Sequence, residues 1–359
     1  MIKTVDILKV KYNEITVGRL VLNRENLAVF EYDIDWLKSG FSVSPIHLPL
    51  TSESFIAKRN PFNGLFGVFN DSLPDGWGNL LLDRLLKEKG INPLELSVLD
   101  RLSIVGKNGM GALSYEPESM KLDPSVDFDL DFFAAETMKI LQSQDSDAVE
   151  TLYKDNGSSG GARPKVLIKH ENEEWMVKFR SSFDPENIGE IEYNTSIWAK
   201  KCGIEMPETK LFEGKYFGVK LFDRTENKRI HVHTASGLLY ADHRLPALDY
   251  DDLLKLTRYI TGDLSEVEKM LRLMIFNIVI GNKDDHAKNF SFIYKNDKWK
   301  LSPAYDLTPN FGFNGNHSTT ILGKGNPDEK DIFELGKRHG FEKRFISSLI
   351  EEFRSILRT

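Results

Sequence analysis

The stretch IGNKDDHAKNFSFIYKNDKWKLSPAYDL, residues 280–307, decides how this chain reads. Ahead of it LRLMIFNIVI (271–280) is an apolar helical run that stops at Gly281. A polar cluster follows at once, then two short alternating segments, NFSFIY and KWKLS, which read as a hairpin with Asp306 at its far end. The apolar run is about half the ~20 residues that span a bilayer, so it reads as a buried helix and not as a membrane segment.

Asp284 and Asn289 in that cluster are spaced D-x-x-x-x-N. Transfer of a nucleotide phosphoryl group needs an Asp that orients or deprotonates the acceptor hydroxyl. It also needs an Asn that binds a metal and faces the same phosphate from one tight loop, and kinase catalytic loops use this spacing. A second carboxylate must then arrive to hold magnesium, and Asp306, directly after the hairpin, stands where a strand-end Asp does so in protein kinases. Taken alone, Asp284, Asp285 and Asn289 read as Asx residues capping a turn. The hairpin and its terminal Asp shift the balance toward chemistry.

Upstream order shifts it further. In WMVKF, Trp175, Val177 and Phe179 share one strand face while Met176 and Lys178 share the other, which lets Lys178 point into a cleft. A nucleotide kinase needs such a cation on its phosphates, commonly oriented by a Glu on the next helix. Glu192 follows fourteen residues later, with Glu190 as the competing choice. The loop GSSGGARPK (157–165) offers backbone N–H groups with little steric obstruction, which suits close approach to phosphate, and equally describes a flexible linker. Ser158 and Ser159 within it are plausible phosphorylation positions. His231, His233 and His286 lack a second tight ligand cluster and read as hydrogen-bonding residues. No Ser-His-Asp elbow or Cys/His nucleophile pair is apparent, and Trp77 in LPDGWG reads as core.

The rest of the chain is that of an ordinary globular protein: 359 residues, 40% hydrophobic and 28% charged, enough for two or three packed units. A net charge of -7 argues against broad unaided binding to a phosphate backbone, so any DNA contact is expected through a partner. The single cysteine, Cys202, and an opening MIKTVDILKV without signal-peptide character lead to the expectation of a cytoplasmic protein. Period-two alternation from Val5 to Leu22 predicts a hairpin, and 27–37 predicts a further strand. Helices are predicted to end at Gly90 and to cover 129–142, 190–201, the run opened by a Ser265/Glu268 capping box, 328–338 and 341–357.

These residues in this order resemble the HipA family of bacterial toxin kinases. The N-terminal part is similar through PIHLPL (45–50), SLPDGWGNLLLDR (72–84) and RLSIVGKNGMGAL (101–113), and the remainder through GGARPK (160–165), VKLFDR (219–224), GNKDDHAKNFSF and LSPAYDL. The resemblance implies an α+β, two-lobed protein-kinase-like fold, with an N-terminal β-rich module and a C-terminal lobe that is all helical but for its one hairpin. It implies a HipA-type module over 1–115, a lobe carrying the phosphate-side loop and hinge over 116–224, and a mainly helical lobe over 225–359. By position it implies ATP and Mg²⁺ as cofactors, Asp284 as catalytic base, and Asn289 and Asp306 as magnesium ligands. Gly160, Gly161, Ala162, Arg163, Pro164 and Lys165 would form the phosphate-side loop, and Lys178 would sit on the phosphates. The backbone of Lys220, Leu221 and Phe222 would meet adenine, with His286, Lys288 and Tyr305 also on the nucleotide side. Ser158 matches the family's inhibitory autophosphorylation serine, and Ser159 is the alternative.

Arg163 departs from the Gln often found in that loop, and Leu307-Thr308 stands where DFG-type kinases have Phe-Gly. For biology the resemblance implies a serine/threonine kinase toxin that acts on a translation protein, with aminoacyl-tRNA synthetases the known substrate class. A separately encoded helix-turn-helix, HipB-like antitoxin would neutralise it and carry the DNA binding. Segment 234–254 is a place to look for substrate contacts. A small-molecule phosphotransferase and a catalytically silent ATP- or antitoxin-binding protein are the competing readings.

Overall fold

The computed structural model describes residues 4–120, 129–156, 160–225, 228–245, 248–312 and 314–358. The chain forms two compact units, Met1–Glu190 with Thr209–His231, and Ile191–Glu208 with Val232–Thr359.

In the first unit the alternation read from the sequence becomes a sheet. Strands β1 (Ile7–Tyr12), β2 (Ile15–Leu22), β3 (Ala28–Tyr32), β4 (Phe55–Ile56) and β5 (Leu113–Glu116) lie in the order β4-β3-β2-β1-β5, antiparallel throughout. Leu8, Val10, Leu20 and Phe30 are buried on one face. The strand expected over 27–37 stops at Tyr32, because the Asp33 carboxylate accepts the Asp35 N–H and caps a short helix, α1 (Ile34–Ser39). Helices α2 (Gly67–Asn70), α3 (Gly76–Glu88), α4 (Val98–Val105), α5 (Leu130–Leu141) and α6 (Val149–Asn156) follow.

A second antiparallel sheet of β6 (Lys165–His170), β7 (Glu173–Lys178), β8 (Thr209–Phe212) and β9 (Tyr216–Lys220) has the order β6-β7-β9-β8. Its buried face, with Val166, Ile168, Trp175, Val177 and Phe212, shares one hydrophobic cluster with Trp77, Leu81, Leu82 and Leu85 of α3 and Leu152 and Tyr153 of α6. Trp77 is therefore core, as its sequence context suggested.

Between β7 and β8 lies α7 (Ile188–Lys201). The second unit adds β10 (His231–Thr234), α8 (Ala235–Leu239), β11 (Leu248–Asp249), α9 (Tyr250–Thr261), α10 (Leu264–Ile280), β12 (Ser291–Lys295), β13 (Lys298–Leu301), β14 (Thr319–Thr320), α11 (Glu329–Arg338) and α12 (Lys343–Ile356). It is mainly helical, and besides the expected β12–β13 hairpin it holds β10 against β12 and a two-stranded parallel pair, β11 with β14. Its core is built on α10: Val267, Met270, Leu271, Met274, Ile275 and Phe276 are buried with Leu253 and Leu254 of α9 and Ile346, Leu349 and Phe353 of α12. Truncating any one of the larger of these costs about 2–5 kcal/mol. The expected Ser265/Glu268 capping box is not formed. Asp263 caps α10 by accepting the Ser265 N–H at 2.8 Å, and Glu268 pairs with Arg272 one turn on. At the other end Gly281, at φ +70°, closes the helix in the left-handed conformation that glycine adopts without a Cβ penalty.

Candidate active site

Because α10 ends at Gly281, the next residues leave the helix and form a tight polar loop ahead of β12. Its two adjacent aspartates have opposite surroundings. Asp284 is exposed, and its carbonyl accepts the His286 N–H at 2.9 Å and the Asn289 side-chain N–H at 2.8 Å. Asp285 is fully buried. Its Oδ2 accepts from Tyr250 Oη at 2.7 Å and lies 3.0 Å from His317 Nδ1, while its Oδ1 accepts the N–H groups of Ser318 at 2.9 Å and Thr319 at 3.2 Å. Four donors thus converge on one carboxylate, which is how a buried charge is accommodated. Burial, then the neighbouring Asp285 charge, holds the Tyr250 phenol protonated well above its ordinary range.

A chain of amides ties this loop to the segment that carries Asp306. Asn277 donates to Tyr250 Oη at 3.0 Å, and Asn282 donates to Asn277 Oδ1 at 3.0 Å and to the Asp306 carbonyl at 3.4 Å. Asn310 in turn donates to Asn282 Oδ1 at 3.1 Å. Asp306 lies at φ +58°, a left-handed conformation that Asp tolerates better than most residues, and it follows the hairpin directly. Two residues on, Thr308 Oγ1 reaches Glu192 Oε1 at 3.5 Å. Glu192 is buried and Glu190 is exposed. The Tyr305 hydroxyl donates to the Lys288 carbonyl at 2.6 Å, tying the hairpin exit to the loop.

In the first unit, Lys178 ends β7 opposite Lys165, with its Nζ 5.7 Å from the centre of the Phe217 ring. The loop before β6 folds around Lys165, whose Nζ donates to the Gly160 carbonyl. Arg163, the departure from the family pattern, is paired with Asp184 at 2.9 Å. Burial raises the Asp184 carboxyl, but hydrogen bonds from Ser181 and the Arg163 charge outweigh it and hold the group below its ordinary range. Lys220 Nζ pairs with Glu173 at 2.8 Å, and the Leu221 N–H is taken by the Glu174 carbonyl at 2.9 Å. Beyond β9, Asp223 accepts the Gly111 N–H at 2.6 Å and Arg224 at 2.5 Å, and Arg229 donates to the Lys107 and Gly109 carbonyls. Burial, then the adjacent Arg224 charge, pushes Arg229 down to about 10, so it stays charged at neutral pH.

Ser158 and Ser159 lie outside the described residues. His231 Nε2 lies 2.8 Å from the Val43 carbonyl, the hydrogen-bonding role expected of it. The His286 ring lies 5.7 Å from that of His243, and its Nδ1 meets no partner among the described residues. Among the described residues no group of three or more His, Cys, Asp or Glu side chains is gathered as for a metal ion, and no helix is long and apolar enough to cross a membrane. Sequence reasoning missed Tyr250, Asn277, Asn282, Asn310 and His317. It singled out Asp285 only as a turn cap.

Comparison with known proteins places these features in context. The family model described as the HipA-like C-terminal domain matches residues 157–359, and the HipA N-terminal domain matches residues 8–116. The serine/threonine-protein kinase toxin HipA of Shewanella oneidensis is 22% identical over 340 residues, 84% of this chain and 74% of that protein. The protein Y4dM of Sinorhizobium fredii is 23% identical over 293 residues, 74% of this chain and 70% of its own. A solved structure of the Shewanella oneidensis MR-1 HipA, HipB and operator DNA complex superposes with a TM-score of 0.73 at 18% identity, covering 97% of this chain and 88% of the matched one. At that identity the likeness establishes a shared fold.

Proposed function

The chain belongs to the HipA family, and from that premise we propose that it is an ATP-dependent serine/threonine protein kinase acting as the toxin of a toxin–antitoxin pair. The observation that carries this reading is the loop of the second unit, where the Asn289 side chain holds the backbone of exposed Asp284, and Asn282, two residues earlier, donates to the Asp306 carbonyl. In it Asp284 accepts the proton of a serine or threonine hydroxyl as that oxygen bonds to the γ-phosphorus and the bond to the β–γ bridging oxygen breaks, releasing ADP. Asn289 uses its amide N–H on the Asp284 carbonyl, which leaves Oδ1 as its ligand atom. That oxygen and the Asp306 carboxylate are hard donors of the kind Mg²⁺ takes, so the residues fit the ion. Bound Mg²⁺ would neutralise charge on the β- and γ-phosphate oxygens.

Lys178 is the proposed cation on the phosphates, with Glu192 as its orienting carboxylate. The phosphate-side loop is Gly160–Lys165. Adenine is met by the Lys220–Phe222 backbone, through groups other than the occupied Leu221 N–H. His286, Lys288 and Tyr305 complete the nucleotide side. Functionally the chain then divides into the module to residue 115, the nucleotide lobe to 224 and the catalytic lobe from 225. Self-modification at Ser158, or at Ser159, switches the enzyme off.

That the Shewanella HipA was solved with HipB and operator DNA supports a HipB-like antitoxin partner for this chain. The partner we propose is a helix-turn-helix protein that carries the DNA contact, in keeping with a net charge of -7. The substrate class we propose is a translation protein, an aminoacyl-tRNA synthetase first among them, met in the cytoplasm. Intact-mass spectrometry after incubation with Mg²⁺-ATP, wild type beside Asp284→Ala, tests the catalytic reading. A phosphate gained by the wild type alone supports it. Equal gain by Asp284→Ala rejects Asp284 as the base.

A further inference from the structure

An aspartate that opens a helix ordinarily turns its carboxylate back onto the N–H groups of its own first turn. Asp75, at the N-cap of α3, makes no such bond. Its carboxylate accepts instead the N–H of Gly161, a residue 86 positions away in the chain. The helix recovers a cap from that same residue, because the Trp77 N–H donates to the Gly161 carbonyl at 3.1 Å. Helix and loop therefore exchange caps through both backbone groups of one glycine, and one of the donors that a helix start otherwise leaves to solvent, the Trp77 N–H, is satisfied.

The exchange demands close approach. A Cβ on Gly76, at φ +30°, would lie 2.7 Å from the Gly161 carbonyl oxygen and from Ala162 Cα, so no side chain fits there. On its other flank the loop is closed by Lys165 on the Gly160 carbonyl. The LPDGWG segment is thus the seat of the glycine loop.

We propose that Asp75 is a positioning residue for nucleotide phosphate, an inference that rests on reading Gly160–Lys165 as the phosphate-side loop. A Gly-Gly-Ala loop loses much backbone freedom when it is ordered on a ligand. Fixing Gly161 beforehand moves that loss from binding to folding, so the contribution appears in ATP affinity and hardly in turnover. The N-terminal module then forms part of the nucleotide site.

The test uses the full chain as wild type, Asp75→Ala and Asp75→Asn. It measures hydrogen exchange of the 160–165 backbone, calorimetric affinity for Mg²⁺-ATP, and KM for ATP against kcat. Loss of one charge-assisted hydrogen bond is expected to speed loop exchange in Asp75→Ala and to weaken ATP about tenfold at nearly unchanged kcat. Asp75→Asn, which keeps an acceptor oxygen, is expected to restore most of the affinity, and unchanged exchange along α3 marks an intact fold. Unaltered loop exchange in Asp75→Ala overturns the seat. Faster exchange with ATP affinity like that of a binding-competent wild type overturns the link to nucleotide. A wild type that does not bind Mg²⁺-ATP instead defeats the kinase reading beneath the proposal, and the proposal with it.

Discussion

Asp284 and Asp285 are neighbours with the same side chain, yet their replacement should produce opposite phenotypes. Asp285→Ala would strand four donors, Tyr250 Oη, His317 Nδ1 and the N–H groups of Ser318 and Thr319. Each buried donor left without a partner costs about 1–3 kcal/mol. Removing a buried charge offsets part of this, so the low end of the range applies and the loss comes to about 4 kcal/mol. For a folding unit of this size that lowers Tm by roughly 8–16 °C. Asp284→Ala removes an exposed side chain and should change stability by about 0.5 kcal/mol or less while abolishing phosphotransfer. Thermal unfolding by circular dichroism, beside phosphate incorporation by mass spectrometry, reads both effects. An Asp285→Ala protein melting within about 2 °C of wild type would refute the network argument. So would an Asp284→Ala protein as unstable as its neighbour.

Three further outcomes are expected. Asn289→Ala should raise the Mg²⁺ concentration needed for half-maximal phosphorylation while leaving Tm in place, and an unchanged metal requirement would remove Asn289 from the ligand set. Arg229→Ala should cost about 1–2 kcal/mol in urea unfolding, because the Lys107 carbonyl loses its Arg229 donor and the Gly109 carbonyl keeps only Arg224, and it should speed proteolysis within 106–112. The third concerns Asp251, whose carboxyl burial raises but hydrogen bonds from Lys255 and His339 lower further, leaving it depressed overall. A depressed carboxyl contributes stability above its unfolded value, about 3.9, and that contribution is lost as pH falls through the folded value. Asp251→Asn should therefore show a shallower loss of stability below about pH 4, measured as Tm against pH.

Much of the fold was legible because its signals are local. Alternation over Ile7–Leu22, the apolar run ending at Gly281, and the helices near the C-terminus each depend on residues a few positions apart. The two local errors have the same origin. Asp33 and Asp263 are stronger caps than the sequence patterns around them suggested, and they set where α1 and α10 begin.

The sequence by itself determined the first hairpin, the apolar helix that ends at Gly281, the hairpin that follows it, and the spacing of Asp284, Asn289 and Asp306 along one loop and one hairpin exit. Tertiary structure alone decided which of two nearby like residues is buried, making Asp285 structural and Asp284 exposed, and Glu192 buried with Glu190 exposed. It alone brought His317 to Asp285 and Gly161 to Asp75. The physical reason is that a hydrogen bond is made by atoms 3 Å apart in space, and no periodicity or propensity records which distant residues will meet there.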